Sequence, residues 1–159
     1  MDVMQDKRHT MYPTCADVTV VDILRACTNK KQPLPFFSTS VPAGFPSPAA
    51  DEFAESFLDL NDFMIKHPAS TFYVRVEGES MRDAGLLAGD MLVVERSLTP
   101  THGRIIVAFL DGEFTVKRLL IEEDAVYLSP ENSNYSPIKI KPESVFQVWG
   151  VVTYVIHKP

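Results

Sequence analysis

The chain has 159 residues, 45% of them apolar, with 15 Lys and Arg against 21 Asp and Glu, for a formal charge of -6. This length argues for one compact domain with a modest extension, and the apolar share is enough for a sizeable core. The acidic balance speaks against nucleic-acid binding, which needs clustered cations to neutralise phosphates, and no apolar run approaches the roughly 20 residues that cross a bilayer.

Met1 to Thr10 carries mixed charge and no apolar stretch, so no secretory signal is expected and the chain reads as soluble and cytoplasmic. Cys15 and Cys27 have no histidine pair nearby and read as free thiols rather than a zinc site, so neither metal nor cofactor is expected. Val18 to Cys27 (VTVVDILRAC) suits one short helix or strand, but its neighbours offer nothing to pack a core, and it is too short for a helix-turn-helix. Residues 1–35 show no sustained pattern. Lys30 and Lys31, followed by Pro33 and Pro35, look like a solvated linker. From Gln32 to Pro48 the recurring prolines keep the backbone extended and out of helices, which is how a protease active site binds its substrate.

Ala49 to His67 has helical stretches, with Asp59 or Asn61 as the cap of a short helix that runs to His67 and stops at Pro68. The period then becomes strand-like in Thr71–Glu77, Met91–Glu95, Arg104–Leu110, Glu113–Ile121, Ala125–Leu128 and Val145–Ile156. Asp111-Gly112, between two of these runs, is a two-residue hairpin signal. The expectation is a compact, mostly β domain from about residue 70 to 157, preceded by an extended, poorly structured N-terminal arm.

Two residues in that domain suggest chemistry. In Glu77-Gly78-Glu79-Ser80-Met81 a strand ends, Gly78 permits a sharp turn, and Ser80 follows in the turn. Its hydroxyl can project there while neighbouring N–H groups stabilise an oxyanion. On these five residues alone, an ordinary loop serine is the better reading. A serine needs a base. His9, His67, His102 and His157 lie in the arm, at a helix end, in a turn and near the last residue, so none is held rigidly mid-strand and a Ser-His-Asp triad has no support. In Glu113–Leu119 the alternation puts Glu113, Thr115, Lys117 and Leu119 on one face. A lysine held there and partly desolvated would favour its neutral form and accept a serine proton. Spacing alone favours instead an edge-strand lysine with its stem on apolar surface. Asp83, Asp90 and His102 read as turn and structural residues.

A resemblance decides between these readings. Val41-Pro42-Ala43-Gly44-Phe45-Pro46-Ser47-Pro48-Ala49-Ala50 resembles the cleavage region of the UmuD/MucA branch of the LexA-like self-cleaving serine peptidases. Gly78-Glu79-Ser80-Met81 resembles the family's G-x-S-M nucleophile motif, and Glu113-Phe114-Thr115-Val116-Lys117-Arg118 its E-F-T-V-K motif. His67-Pro68-Ala69-Ser70-Thr71, Gly89-Asp90 and Trp149-Gly150-Val151-Val152 fall in the expected order, so the similarity runs from about Phe36 to Val155. It implies a LexA/signal-peptidase-like β-barrel catalytic domain over residues 44–159 and an arm, residues 1–43, removed by self-cleavage.

In this resemblance Ser80 attacks the carbonyl of Ala43, Lys117 takes the serine proton and returns it to the amine of Gly44, and the N–H groups of Ser80 and Met81 hold the oxyanion. Val41 fills an apolar subsite. A RecA filament on single-stranded DNA stimulates the cut. The fragment from Gly44 forms a homodimer and joins a UmuC-type Y-family polymerase in the SOS response, with no membrane and no sequence-specific DNA contact of its own. The sequence departs from the pattern twice: the arm is longer than the short UmuD type, and Ala43 stands where some relatives have Cys. A LexA-type repressor would carry a DNA-binding domain in front, a signal peptidase would carry a membrane anchor, and a plain β interaction module would need neither Ser80 nor Lys117.

Overall fold

The computed structural model describes residues 19–26, 30–36 and 56–159. In chain order the elements are β1 (Thr19–Arg25), β2 (Leu34–Phe36), β3 (Ser56–Leu58), α1 (Leu60–Met64), β4 (Thr71–Glu77), β5 (Met91–Glu95), β6 (Ile105–Leu110), β7 (Glu113–Ile121), β8 (Val126–Ser129), β9 (Ile138–Lys139) and β10 (Phe146–Ile156). A 3-10 turn over Arg82–Ala84 follows β4. The mostly β expectation holds, and among the described residues no helix is long and apolar enough to cross a membrane.

Eight strands form one antiparallel sheet in the order β1-β4-β5-β10-β6-β7-β8-β9, while β2 and β3 pair separately. The sheet is open rather than closed into a barrel, with β1 and β9 as its edges. It curls enough for β1 to come against β7, well across the strand order. Curling buries both faces of the middle strands. Val74, Val76, Met81, Leu86, Leu92, Val94, Val107, Val116 and Val152 make one core cluster; Ile106, Ala108, Leu119, Leu128 and Val151 make another. The period of two along β6 therefore sends Val107 to the first cluster and Ile106 and Ala108 to the second.

The long strand β10 serves two neighbours. Its first half pairs with β6 and its second with β5, and the register shifts between Val148 and Gly150 and again between Val152 and Tyr154. Bulges of this kind bend a strand and increase its twist. Gly150 lies in the bend, where an added Cβ would meet Val94 Cγ1 at 2.6 Å. Gly150→Ala is therefore expected to lower stability by about 1–3 kcal/mol through overpacking, read as a drop in the urea midpoint.

The Asp111-Gly112 hairpin forms as expected. Both residues have positive φ, 49° and 99°, as the tight turn between β6 and β7 requires, and Leu110 and Glu113 pair across it. Asp59 caps α1 by accepting from the N–H groups of Asn61 and Asp62. The helix ends at Met64 instead of running to His67, because Ile65 turns to extended backbone and buries its side chain. Upstream of it, Ser56–Leu58 is strand β3 rather than helix, zipped to β2 from Leu34↔Leu58 to Phe36↔Ser56. The described parts of the arm are extended, and the structure adds what they pair with. Thr19–Arg25, the described part of that segment's strand, is β1, whose partner is β4 rather than any neighbour in sequence.

At the far end of β4 from Ser80, Glu95 is buried beneath its strand partner Thr71. Its carboxylate accepts from Thr71 Oγ1 at 2.9 Å, Ser97 Oγ at 2.8 Å and Ser97 N at 2.9 Å. Burial pushes this carboxyl up, but the hydrogen bonds from Ser70, Ser97 and Thr71 outweigh it and hold the pKa at about 2, against 4.5 ordinarily. A carboxylate whose pKa is depressed on folding stabilises the fold above its unfolded value, and that contribution is lost as pH falls through the folded one. Stability should thus decline as pH drops from 4.5 towards about 2. In Glu95→Gln, urea midpoints measured across that window should lose this part of the slope.

Candidate active site

The Ser80 turn is built by the end of β4. Gly78 takes φ 93°, which breaks the strand, and Ser80 and Met81 then turn inward, both fully buried. Met81 belongs to the first core cluster and anchors the turn; its carbonyl accepts from the N–H groups of Ala84 and Leu86. A second segment clamps the turn from outside. Glu131 N donates to Ser80 O at 2.8 Å, Asp83 N donates to Glu131 O at 2.8 Å, and Asn132 Nδ2 donates to Glu79 O at 2.9 Å. Asn132 is itself buried, and its Oδ1 accepts from Asn134 N at 3.0 Å. Arg118, next to Lys117, ties Glu131 to the Gly103 carbonyl.

Lys117 comes from the middle of β7, where Thr115, Lys117 and Leu119 share one buried face as the alternation predicts. Only 1% of Lys117 is exposed. Its Nζ lies 3.0 Å from Ser80 Oγ, 2.9 Å from Thr115 Oγ1 and 3.2 Å from Val116 O. Residues 37 apart in sequence thus meet inside the protein. The register explains the meeting point: Lys117 stands opposite Ile106 on β6, whose side chain is fully buried, so the ammonium stem runs through core.

The described histidines lie on other partners. His67 Nδ1 is 3.5 Å from Glu95, His102 Nδ1 accepts from Ile121 N at 3.0 Å, and His157 Nδ1 is 2.7 Å from Asp90 Oδ1. Asp90 is buried and accepts from Leu87 N at 2.8 Å, while Asp83 is 3.5 Å from Arg82. These are the structural parts that the sequence suggested for Asp83, Asp90 and His102. Val41, Ala43 and Gly44 lie outside the described residues. Sequence reasoning missed Thr115 and Asn132 as parts of the site. Thr115 was findable, because it stands two positions before Lys117 on the same face. Asn132 was not, since its contact spans 53 residues.

A serine and a lysine side chain thus meet in the buried interior of a mostly β domain. A protein-family model described as Peptidase S24-like matches residues 35–153, and the chain belongs to that family. It is 48% identical to Protein ImpA of Salmonella typhimurium over 124 residues, 78% of this chain and 83% of that protein. It is 42% identical to Protein MucA of Escherichia coli over 137 residues, 84% and 92% of the two chains. These likenesses put it in the UmuD/MucA branch of SOS mutagenesis proteins. It is also 38% identical to the LexA repressor of Colwellia psychrerythraea over 119 residues, 74% of this chain but 55% of the repressor.

Proposed function

We propose that this protein is a serine–lysine peptidase that cuts its own chain between Ala43 and Gly44. The observation that carries the reading is the 3.0 Å contact between Lys117 Nζ and Ser80 Oγ in a site closed to solvent. A neutral amine donates two hydrogen bonds and accepts one. In that form the amine keeps a lone pair that can take the Ser80 proton across the 3.0 Å contact. Removal from water disfavours the charged ammonium, which is what a lysine base needs.

Ser80 Oγ then attacks the Ala43 carbonyl as its proton passes to Lys117, and the N–H groups of Ser80 and Met81 hold the resulting oxyanion. The proton goes on to the departing amine of Gly44, leaving Ala43 esterified to Ser80. A water molecule, deprotonated by the now neutral Lys117, releases the ester and restores the hydroxyl. Val41 fills an apolar subsite. Because the substrate is part of the same chain, its effective concentration is high and a slow dyad suffices. Nucleophile and base both come from the chain, so the reading calls for no cofactor.

The placement in the UmuD/MucA branch supports the rest of the proposal. A RecA filament on single-stranded DNA stimulates the cut, and the product from Gly44 dimerises in the cytoplasm and serves a UmuC-type Y-family polymerase in translesion synthesis. The acidic surface suits a protein-binding accessory factor without sequence-specific DNA contacts. Intact-mass measurement of purified full-length protein at mildly alkaline pH, with and without activated RecA, tests the cut. A fragment beginning at Gly44 is expected, forming faster as pH rises. A chain that stays whole under both conditions would sink the proposal.

A further inference from the structure

In a trans peptide the C=O of one residue and the N–H of the next share a plane and point in opposite directions, and no described peptide bond is cis. The two N–H groups proposed to hold the oxyanion, those of Ser80 and Met81, therefore turn with the carbonyls of Glu79 and Ser80. Both carbonyls are bound by one loop, between β8 and β9. Asn132 Nδ2 donates to Glu79 O at 2.9 Å, and Glu131 N donates to Ser80 O at 2.8 Å. Two successive residues of the loop thus fix two successive peptide planes of the turn. With both carbonyls aimed at the loop, both N–H groups face away from it. Successive N–H groups on one side make an anion-binding concavity.

The loop is itself anchored. Asp83 N donates to Glu131 O at 2.8 Å, and the Glu131 carboxylate is held by Arg118, the neighbour of Lys117 on β7. Asn132 is 4% exposed, and its Oδ1 accepts from Asn134 N at 3.0 Å, so both ends of its amide are engaged. The bond from Glu131 to the turn is made by backbone, which any residue but proline supplies. The bond from Asn132 needs this side chain, because a buried group there has to donate at one end and accept at the other.

We propose that Asn132 is a positioning residue for the cut: by holding the Glu79 carbonyl it aims the Ser80 N–H at the scissile carbonyl oxygen, where negative charge develops. It acts through the Glu79–Ser80 peptide plane and touches none of the reacting atoms. The hydrogen bond at the Glu79 carbonyl also polarises that peptide and strengthens its N–H as a donor. The proposal rests on the peptidase reading and adds a residue to it.

Self-cleavage rates of full-length wild type, Asn132→Ser and Asn132→Ala are followed across pH, under conditions where urea curves show the chains folded. The shorter serine hydroxyl can still accept from Asn134 N but falls short of Glu79 O, and alanine makes neither bond. Both variants should lose roughly tenfold to a hundredfold of the high-pH plateau rate, less than the ~100- to 1,000-fold cost of deleting an oxyanion donor outright. The midpoint of the profile should stay at the wild-type value, because Lys117 keeps its contact with Ser80 Oγ. A turn that had merely loosened would disturb that contact and move the midpoint. A moved midpoint would therefore overturn the proposal, as would a wild-type plateau in either variant. A plateau kept by Asn132→Ser and lost by Asn132→Ala would assign the effect to the Asn134 bond instead. If one variant fails to fold, the other still decides. Wild type that stays whole takes the peptidase reading down with this one, whereas wild type and variants that cut alike remove only the role of Asn132.

Discussion

Ser80→Ala is expected to leave the chain whole under every condition that cuts the wild type, with a fall in rate on the order of a thousandfold or more. In the proposed mechanism the hydroxyl oxygen forms the bond to Ala43, so the substitution removes the nucleophile. Structure should change little, because the substitution removes one buried oxygen and keeps the backbone bond from Glu131 N to Ser80 O. The variant does leave Lys117 Nζ without its 3.0 Å partner. The buried amine keeps Thr115 Oγ1 and Val116 O and loses one hydrogen bond, so a small loss of stability is expected alongside the loss of cutting. Intact mass and a urea denaturation curve on the same sample separate the two. Cutting at the wild-type rate would remove Ser80 from the mechanism.

Replacing Lys117 should abolish cutting as completely, and the choice of replacement is informative. Lys117→Arg keeps length and charge, yet a guanidinium does not deprotonate in a protein and has no lone pair to offer, so a loss of roughly a hundredfold to ten-thousandfold is expected. Lys117→Met keeps the volume of the stem and removes the charge from the core. Cutting should fall as far, while stability changes little, since Met keeps the packing of the stem and gives up only the amine's hydrogen bonds. The pH profile gives the sign. Only the neutral amine accepts the serine proton, so below the amine's pKa the wild-type rate should fall about tenfold for each pH unit. A Lys117→Arg protein that cut at the wild-type rate would show that the base lies elsewhere.

Much of the site was legible because strand alternation is a local property. The run Glu113–Leu119 placed Lys117 on a face with Thr115 and Leu119 before any tertiary contact was known, and all three are buried, as is Val116 on the opposite face. The hairpin at Asp111-Gly112 was legible for the same reason, because positive φ at two successive residues asks for particular residue types. Chemistry was harder to read. A serine after a glycine and a lysine in a strand are both common, and spacing favoured incidental readings of each. The motifs recognised in order along the chain raised Ser80 and Lys117 together, and the structure brings their side chains to 3.0 Å.

The sequence by itself determined the mostly β character, the strand that carries Lys117, the turn that carries Ser80 and the membership of the family. All of these rest on short-range patterns, in which each residue's neighbours set its backbone and its face. Only the tertiary structure decided that β1 and β2 are paired strands, that Ser56–Leu58 is strand rather than helix, and that Asn132 and Glu131 clamp the Ser80 turn. Each of these depends on a partner far along the chain. Pairing with β4 or β2 supplies hydrogen bonds that override a weak local preference, and a clamp spanning 53 residues leaves no trace in either segment alone.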